Sequence, residues 1–331
     1  MEIGKVPSDI LERIIFENIE NKREEVLVKA GIGEDNAIID FGEYVCAIST
    51  DPITGATKDI GSLAIHISCN DVASSGAEPI AVLMTIMAPP KTTEEDLKTI
   101  MEEASKASKE LDVEIVGGHT EITDAVNRIV ISTTVIGKQL KGKMLNPKEI
   151  KVGDKVLMTK YAGIEGTAIL SKELEENLKG KVDERLLEEA NKLGSEISVV
   201  KEGKICGEIG VGYMHDITEG GLLGALWEGA KAINKGIKAY KSSIPILEST
   251  KAIANILEIN PYKLISSGSM LIITDEYKTK KIKNKLLKKG IKVSIIGEVI
   301  EEGAYLEDDG KVKKILPPES DELYTGLAKF Q

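Results

Sequence analysis

Four short segments of this sequence carry acidic side chains where strands or helices are predicted to end. They are Gly33-Glu34-Asp35-Asn36, Ser49-Thr50-Asp51-Pro52, Cys69-Asn70-Asp71-Val72 and Gly117-Gly118-His119-Thr120-Glu121. Such ends host function more often than element centres do. Carboxylate oxygens suit Mg²⁺, which keeps several waters and bridges one or two carboxylates to substrate phosphates. The pattern indicates a nucleotide site, although any single Asp or Asn in it fits a helix cap or a turn equally well.

Other nucleotide and metal motifs are absent from the sequence. There is no Gly-x-x-x-x-Gly-Lys-Ser/Thr and no Gly-x-Gly-x-x-Gly after a strand, which excludes P-loop and Rossmann sites. The histidines form no His-x-x-x-His pair. His66 lies among apolar neighbours, which indicates a core residue, whereas His119 follows two glycines that suit either a ligand-binding backbone or a tight turn.

The composition is that of a compact soluble protein. The 331 residues are 42% hydrophobic and 29% charged, and at roughly 150 residues per domain this length predicts two domains. The net charge of −11 repels phosphate backbones and anionic lipid surfaces. We therefore expect neither a nucleic acid nor a membrane as partner.

The apolar runs and the cysteines predict a cytoplasmic location. The longest apolar run, Pro79 to Pro90, is too short to span a bilayer, and the first residues lack the pattern of a signal peptide. Three widely spaced cysteines without a Cys-x-x-Cys pair favour buried thiols over disulfides or zinc ligation.

Hydrophobic periodicity predicts the elements that position the acidic segments. After a helical N-terminal arm, the first half should begin with a hairpin of Ala37–Asp40 and Tyr44–Thr50. Two helices are predicted, one from Asp59 to Asp71 and one from a capping box at Thr92-Thr93-Glu94-Glu95 to Leu111. The remaining strands are predicted at Ile80–Ala88, which should be buried, at Val113–Val116 and at Arg128–Gly137. Ser49-Thr50-Asp51 and Gly117–Glu121 then fall in loops at strand ends.

The second half is predicted to alternate in the same way after a polar connection, Lys138–Gly153. We expect strands at Val156–Thr159, Tyr213–His215, Ser269–Thr274 and Val293–Val299, and helices at Glu165–Leu178, Glu184–Lys201, after Gly221 through Trp227, and Glu276–Lys289. No internal repeat at a fixed period is present.

In this order, the segments resemble one superfamily of ATP-binding synthetases, typified by aminoimidazole ribonucleotide (AIR) synthetase (PurM), thiamine monophosphate kinase, selenophosphate synthetase and the hydrogenase-maturation protein HypE. The resemblance extends from about Gly31 to about Ile300. It is carried by Gly33-Glu34-Asp35-Asn36-Ala37-Ile38-Ile39, Ser49-Thr50-Asp51, Thr57-Lys58-Asp59-Ile60-Gly61, Asn70-Asp71-Val72-Ala73-Ser74-Ser75-Gly76-Ala77-Glu78-Pro79, Gly117-Gly118-His119-Thr120-Glu121 and His215-Asp216-Ile217-Thr218-Glu219-Gly220-Gly221-Leu222. The last segment looks like the Asp-x-Thr-x-Gly-Gly turn of the HypE branch.

The resemblance implies a PurM-like two-domain α/β fold. After the arm, residues 1–30, it places an ATP-binding N-terminal domain at 31–140, a C-terminal α/β domain at 150–305 and a tail at 306–331. The N-terminal sheets of two chains would form a barrel across a homodimer, with ATP near that interface.

The resemblance also implies roles for individual residues. Asp35, Asp51 and Asp71 would hold Mg²⁺ and the phosphates of ATP, Lys58 would neutralise phosphate charge, and Asn70 would support the same loop. Asp71 and Lys58 would be the catalytic pair. Backbone N–H groups of Gly117 and Gly118 would approach the nucleotide, with His119 and Thr120 in the same loop.

Two departures from the family pattern stand out. The family's usual acid after the Gly-Gly pair is His119 here, so any metal binding in that loop would pass to Glu121. HypE ends in a cysteine that carries the reacting group, whereas this sequence ends in Gly326-Leu327-Ala328-Lys329-Phe330-Gln331. We therefore expect it not to perform that chemistry on its own tail.

The resemblance favours a HypE-like, Mg-ATP-dependent enzyme that phosphorylates an oxygen of a small carbonyl, amide or carboxylate acceptor. Catalysis would be mostly positioning and electrostatics. The alternative is a nucleotide-binding maturation or scaffold factor that assembles with a maturation-protein partner and turns over slowly or not at all.

Overall fold

The computed structural model describes residues 6–29, 31–54, 58–318 and 320–330. Thr57, which belongs to one of the segments quoted above, and Gln331 lie outside the described residues. The described chain forms two mixed sheets, one of six strands and one of seven. A connection with two short 3₁₀ turns, Lys141–Lys143 and Pro147–Glu149, joins them.

The first sheet has the strand order β1-β2-β3-β6-β4-β5. Its strands are β1 (Val26–Val28), β2 (Ala37–Phe41), β3 (Tyr44–Ile53), β4 (Glu78–Ala88), β5 (Glu114–Ile122) and β6 (Val130–Leu140). The predicted hairpin is confirmed as β2 and β3, which pair from Ala37–Ile48 to Phe41–Tyr44. The loop predicted for Ser49-Thr50-Asp51 is wrong, because pairing with β6 continues β3 to Ile53. β4 and β5 are parallel, so β5 is an edge strand beside an otherwise antiparallel sheet.

Helix α2 (Ile60–Ser74) is the central element of the molecule. Of its 15 residues, 14 are buried, because it lies between the first sheet and the second domain. A helix that is apolar on all sides is stable only when surrounded in this way. Helix α3 (Glu94–Leu111) covers α2 from outside and is N-capped by Thr93, whose side chain accepts from Asp96 N–H. Both predicted helices are confirmed. The capping box is formed by Thr93 and Asp96, one residue later than the predicted Thr92–Glu95 box.

The N-terminal arm forms one irregular helical stretch. It begins as α1 (Ser8–Ile10) and continues as π and 3₁₀ turns to Asn18. None of these residues is buried, and Ile14, Ile15 and Ile19 are each about half exposed. The helical prediction is confirmed, but Ile14, Ile15 and Ile19 stay largely exposed to solvent in this chain.

The second sheet has the order β13-β12-β9-β11-β7-β10-β8. Its strands are β7 (Lys155–Thr159), β8 (Tyr213–Asp216), β9 (Gly236–Tyr240), β10 (Met270–Thr274), β11 (Val293–Ile300), β12 (Ala304–Asp308) and β13 (Lys311–Lys314). The helices of this half are α4 (Ile164–Glu173), α5 (Glu175–Leu178), α6 (Glu184–Lys192), α7 (Val200–Ile209), α8 (Gly221–Ala232), α9 (Glu248–Leu257), α10 (Glu276–Leu287) and α11 (Glu322–Ala328).

Residues 306–331, set apart by sequence as a tail, include regular structure that belongs to the second half. They contain the end of β12, strand β13 and helix α11. Asp321 is buried and caps α11, and its carboxylate also accepts from the backbone N–H groups of Gly220 and Ile265. The segment is therefore fixed to the turn that precedes α8.

The single helix predicted for Glu184–Lys201 is wrong. The structure ends α6 at Lys192, continues with a 3₁₀ turn at Leu193–Ser195 and begins α7 at Val200. The buried side chain of Asn70, on α2, donates to Ile197 O at 2.7 Å and accepts from Val199 N–H at 2.8 Å. This contact from the other domain satisfies backbone groups that a continuous helix would have used itself.

Strand β4 is half-buried, whereas the sequence predicted a buried strand. Its residues alternate between buried and more exposed positions, and Ile80 and Leu83 are more than 40% exposed. Helices α2 and α3 cover only one face of the sheet. The opposite face keeps an apolar surface that extends to Val116 and Ile122 on β5, each about half exposed.

The cysteines and the membrane prediction can be checked directly. Cys69 and Cys206 are buried and Cys46 is partly buried, and all three are free thiols. Among the helices in the described ranges, none combines the length and the apolar character that crossing a bilayer requires.

Candidate active site

Four aspartates meet where α2, the β2–β3 hairpin and β8 approach one another. Asp71 lies near the end of α2, Asp51 on β3, Asp35 just before β2, and Asp216 at the end of β8. We call these four residues the acidic cluster. Burial and the nearby carboxylates of Asp51, Asp216 and Asp35 raise the pKa of Asp71 well above its usual range. The structure thus places the three predicted metal ligands within electrostatic range of one another and adds a fourth carboxylate, that of Asp216.

Asp71 is held in place by its neighbours on the hairpin. Its side chain is almost fully buried and accepts a hydrogen bond from the Ser49 hydroxyl at 2.5 Å. The Asn36 amide donates to Asp71 O at 2.7 Å. The hairpin segments that the sequence selected therefore fix both the carboxylate and the backbone of Asp71.

Asp35 reaches the second domain because of a close contact at Gly33. Gly33 has φ +79°, and a Cβ there would lie 2.8 Å from the carbonyl oxygen of Glu228 on α8. Only glycine fits this left-handed conformation and close approach. The Tyr213 hydroxyl donates to Gly33 O at 2.9 Å. The loop is thereby pressed against α8 and β8, with Asp35 beside His215.

His215 lies between two carboxylates. Its Nδ1 is 2.6 Å from Asp35 Oδ1, and its Nε2 is 3.1 Å from Glu228 Oε2. Burial alone lowers the pKa of His215, but Asp35 and Glu228 outweigh burial and raise it well above its usual value. Burial together with the adjacent Asp35 also raises the pKa of Glu34 to about 7.

Asp216 is the functional candidate that sequence reasoning did not assign. Its side chain is 1% exposed, and neither carboxylate oxygen has a hydrogen-bond partner from another described residue. Burial and the charge of Asp35 raise its pKa well above the usual range. Its position in the His215–Leu222 segment was the available signal, but the sequence did not show that this carboxylate faces the hairpin of the other domain.

The donor set of the acidic cluster fits a hard divalent cation. Burying carboxylates without compensating partners is costly, and a bound cation removes that cost. Mg²⁺ prefers carboxylate oxygens and water. Asp35, Asp51, Asp71 and Asp216 would hold it, and it would supply charge neutralisation for a phosphate group.

Asn70 has a different role from its neighbour Asp71. Both polar ends of its side chain are used in the contact with Ile197 and Val199 described above. Consecutive helical residues point about 100° apart, so Asn70 faces the second domain while Asp71 faces the hairpin. Asn70 therefore fastens the two domains, and its side chain is not directed to a nucleotide at the acidic cluster.

Lys58 lies at the other end of α2 from Asp71. Eleven residues separate the first residue of α2 from Asp71, which corresponds to about 16 Å along the axis. Lys58 Nζ donates to Lys172 O, at the end of α4, at 2.9 Å. Within one chain, the structure does not bring the predicted catalytic pair together.

The segment Gly117–Glu121 lies within β5 and not in a loop after it. Asp51 pairs with Thr133, Thr133 with Met84, and Met84 with Gly118. This row crosses three strand spacings, or about 14 Å. The loop prediction is wrong because parallel pairing with β4 extends the strand to Ile122.

The two glycines of β5 serve strand pairing in this structure. Gly118 has φ +149°, and a Cβ there would lie 1.8 Å from Met84 O. On the same strand, His119 Nε2 lies 3.5 Å from Glu121 Oε2, and both side chains are more than half exposed. Thr120 pairs with Ile86 in the same ladder. All five residues of the segment lie on the open edge of the sheet, away from the acidic cluster of their own chain.

A separate cleft of about 430 Å³ opens between the domains on the Lys58 side of α2. It is lined by His66 from α2 and Glu165 from α4, together with several lysines and carboxylates of both domains. Burial lowers the pKa of His66 to about 4, and His66 Nδ1 is buried without a partner among the described residues. Burial raises the pKa of Glu165 to about 7. His66 is thus a buried histidine, as the sequence predicted, at the wall of an interdomain cleft.

Comparison with known families assigns both halves of the chain. Residues 33–139 match the family described as AIR synthase related protein, N-terminal domain, and residues 151–308 match the corresponding C-terminal domain. The chain belongs to the AIR synthase-related family. The resemblance inferred from the sequence is confirmed, as is the PurM-like two-domain α/β fold.

Relatives within the AIR synthase-related family include hydrogenase-maturation proteins. A predicted hydrogenase expression/formation protein of Methanocaldococcus jannaschii is 33% identical over 282 residues, covering 81% of this chain and 79% of its own. The carbamoyl dehydratase HypE of Bradyrhizobium diazoefficiens is 28% identical over 248 residues, covering 73% and 70%. Among solved structures, HypE in a HypE–HypF complex superposes with a TM-score of 0.75 at 25% identity, covering 93% of this chain and 99% of that one.

Proposed function

We propose that this chain is a HypE-like, Mg-ATP-dependent enzyme that phosphorylates an oxygen of a small carbonyl, amide or carboxylate acceptor. The observation that carries the proposal is the acidic cluster, in which aspartates of both domains converge and neither oxygen of the buried Asp216 has a hydrogen-bond partner among the described residues. Mg²⁺ binding and phosphate transfer both use such a site. The names of the relatives and a HypE structure of this fold solved with ATP support the assignment.

The residues of the acidic cluster would act through charge and position. Asp35, Asp51, Asp71 and Asp216 would bind Mg²⁺, which would neutralise charge on the phosphates of ATP. Ser49 and Asn36 would keep Asp71 oriented without reorganisation when the nucleotide binds. Preorganised electrostatics of this kind is the main contribution a protein makes to phosphoryl transfer.

We propose a homodimer as the functional form. Lys58 and Gly117–Glu121 lie away from the acidic cluster of their own chain, so their predicted contacts with ATP need a second copy. The uncovered sheet face and the edge strand β5 are the surfaces through which two chains would join. Glu121 as a metal ligand, and His119 and Thr120 as nucleotide contacts, belong to this dimer proposal.

The acceptor, the partner and the compartment are further parts of the proposal. One relative is named carbamoyl dehydratase, which favours an amide oxygen as the phosphorylated atom. The HypE–HypF complex favours a maturation protein as partner. Three free thiols suit a reducing compartment such as the cytoplasm.

The alternative is a nucleotide-binding scaffold factor with little intrinsic turnover. The relatives named for hydrogenase formation favour it as a second candidate. Measuring ATP hydrolysis by the purified chain, with and without small amides, separates the two. Turnover without any added protein supports the enzyme, and tight ATP binding without turnover supports the scaffold.

The central test is Asp71→Asn. Mg-ATP at about a hundred times its dissociation constant should add roughly 2.7 kcal/mol to the stability of the unmodified protein. Asp71→Asn removes a metal-facing charge from a nearly isosteric side chain, so we expect this stabilisation to disappear while the nucleotide-free protein remains folded. Thermal unfolding with Mg-ATP, and with EDTA in place of Mg²⁺, measures both effects.

Asp112→Asn is the matched control. Asp112 is exposed and ends α3 in a left-handed conformation that Asn adopts readily. This variant should keep the full response to Mg-ATP. An unchanged response in Asp71→Asn, or none in the unmodified protein, contradicts the proposed function.

A further inference from the structure

The segment that carries the C-terminal helix α11 packs against the turn that follows Asp216. This turn, residues 217–221, joins β8 to α8. The buried carboxylate of Asp321 accepts a hydrogen bond from Gly220 N–H in the turn at 2.7 Å. A Cβ at Gly220 would lie 2.8 Å from Cβ of Pro318, so the chain before α11 leaves no room for a side chain there. The position of the turn therefore depends on residues about 100 positions later in the sequence.

The Tyr324 hydroxyl, on α11, has a hydrogen-bond partner in each domain. It donates to Glu219 Oε1, in the turn after Asp216, at 2.8 Å. Its other partner is the side chain of Thr54, directly after β3, whose hydroxyl can donate to the phenolic oxygen. Burial and the charge of Glu219 raise the pKa of Tyr324 above its usual value, so the hydroxyl keeps the proton that it donates.

Both partners of Tyr324 are close in sequence to an aspartate of the acidic cluster. Thr54 follows Asp51 by three residues, and Glu219 follows Asp216 by three residues. Three residues span at most about 11 Å even when fully extended. A single hydroxyl thus joins the segment that carries Asp51 in the first domain to the segment that carries Asp216 in the second.

We propose that Tyr324 is a positioning residue that keeps Asp51 and Asp216 at the separation required for both to act on one Mg-ATP. The inference rests on the proposed function, because it concerns how the two domains share the acidic cluster. Displacing a group at a reactive site by about 1 Å can cost about 100-fold in rate. A clamp between the two carriers of the cluster prevents such a displacement.

The alternative is that Tyr324 only fastens α11 to the body of the protein. Fastening alone would affect the stability of the chain, but it would leave the response to Mg²⁺ unchanged. The two interpretations therefore differ in the concentration of Mg²⁺ that ATP binding requires.

The experiment compares Tyr324→Phe, which removes only the hydroxyl, with the unmodified full chain. Thermal unfolding is measured at a fixed, saturating concentration of ATP while the Mg²⁺ concentration is varied. We expect the Mg²⁺ concentration that gives half of the stabilisation to rise about tenfold, the lower end of the effect of residues that orient metal ligands. Without ATP, the backbone amides of residues 217–221 should exchange their hydrogens about tenfold faster in the variant, because the turn loses one of its attachments.

Tyr240→Phe is the matched control. The Tyr240 hydroxyl donates to Glu298 Oε1 at the same distance, 2.8 Å, but both residues lie on neighbouring strands of the second sheet. This variant loses an equivalent hydrogen bond and should keep the Mg²⁺ requirement of the unmodified chain. An equal rise in both variants would show that a general loss of stability is the cause and would overturn the proposal.

Two substitutions of the exposed Thr54 test the clamp from its other side, even if Tyr324→Phe folds poorly. Thr54→Val should reproduce the raised Mg²⁺ requirement, and Thr54→Ser, which keeps a hydroxyl, should not. If Mg-ATP stabilises the unmodified chain, Tyr324→Phe and Thr54→Val at the same Mg²⁺ concentrations, the inference fails and the proposed function stands. If Mg-ATP does not stabilise the unmodified chain, the proposed function fails and the inference fails with it.

Discussion

Neighbouring residues of α2 show how one helix turn can serve two purposes. Asp71 faces the hairpin and belongs to the acidic cluster, whereas Asn70 satisfies backbone groups of the second domain. One turn earlier, His66 faces the interdomain cleft. A motif quoted as a unit in the sequence thus divides, residue by residue, between the acidic cluster and the attachment of the second domain.

The buried His66 should make the protein sensitive to acid. Burial holds its pKa near 4 in the folded state, against about 6.5 when unfolded. Between these values the unfolded chain binds a proton that the folded chain does not, so stability falls as the pH falls below about 6.5. When the pH falls from about 8 to about 5, His66 should lower the free energy of unfolding by about 2 kcal/mol.

Urea unfolding of His66→Gln at the two pH values measures this contribution. The variant lacks the titrating ring. Its free energy of unfolding should therefore fall by about 2 kcal/mol less than that of the unmodified protein on the same acidification. His119→Gln removes an exposed ring and should keep the original acid sensitivity. Equal pH dependence in His66→Gln and the unmodified protein would show that His66 is not the origin.

At the scale of elements, β5 depends on glycine for its contact with β4. Gly118→Ala would place a methyl group 1.8 Å from Met84 O, so the two strands would have to separate. We expect a loss of roughly 3 kcal/mol, at the upper end of the usual cost of overpacking. Chemical unfolding measures it, with Gly142→Ala as control because a Cβ at Gly142 would meet no atom within 4 Å. An equal, small effect in both variants would contradict the strand-pairing role.

Patterns within a short stretch of sequence predicted those elements that depend only on residues nearby in the sequence. The capping signal at Thr92–Glu95, one residue from the observed box, and the helical periodicity after it predicted α3, and alternation predicted the β2–β3 hairpin. The break between α6 and α7 depends on Asn70, 127 residues away from Ile197, and could not be found by periodicity. The extension of β5 through Gly117–Glu121 depends on β4 in the same way.

The site was predictable only in part for the same reason. The resemblance named Asp35, Asp51 and Asp71, and these three do converge. The carboxylate of Asp216 became a candidate only when β8 was seen to end beside the hairpin of the other domain. Lys58 was placed with Asp71 on the basis of the motif, but the length of α2 separates them.

At the scale of the whole molecule, the first sheet predicts self-association. Leu83 on β4 and Val116 on β5 are 41% and 52% exposed on an open sheet with an unpaired edge. We expect light scattering or sedimentation to show a homodimer. Val116→Asp should be a monomer, because it places a charge on the surface through which the two chains would join. Leu287→Asp, on α10 of the other domain, should remain dimeric. If the unmodified chain has the molar mass of a monomer at all concentrations, the dimer proposal is wrong.

The burial of α2 between the two domains also affects how the chain is made. Asn70 finds its partners 127 residues later in the sequence. At a synthesis rate of about 5–20 residues per second, the ribosome needs roughly 6–25 s to produce them. During that interval the helix that carries Asp71 has at most the first sheet and α3 to cover it. A nascent chain of this protein therefore presents an apolar helix to chaperones before its second half exists to enclose it.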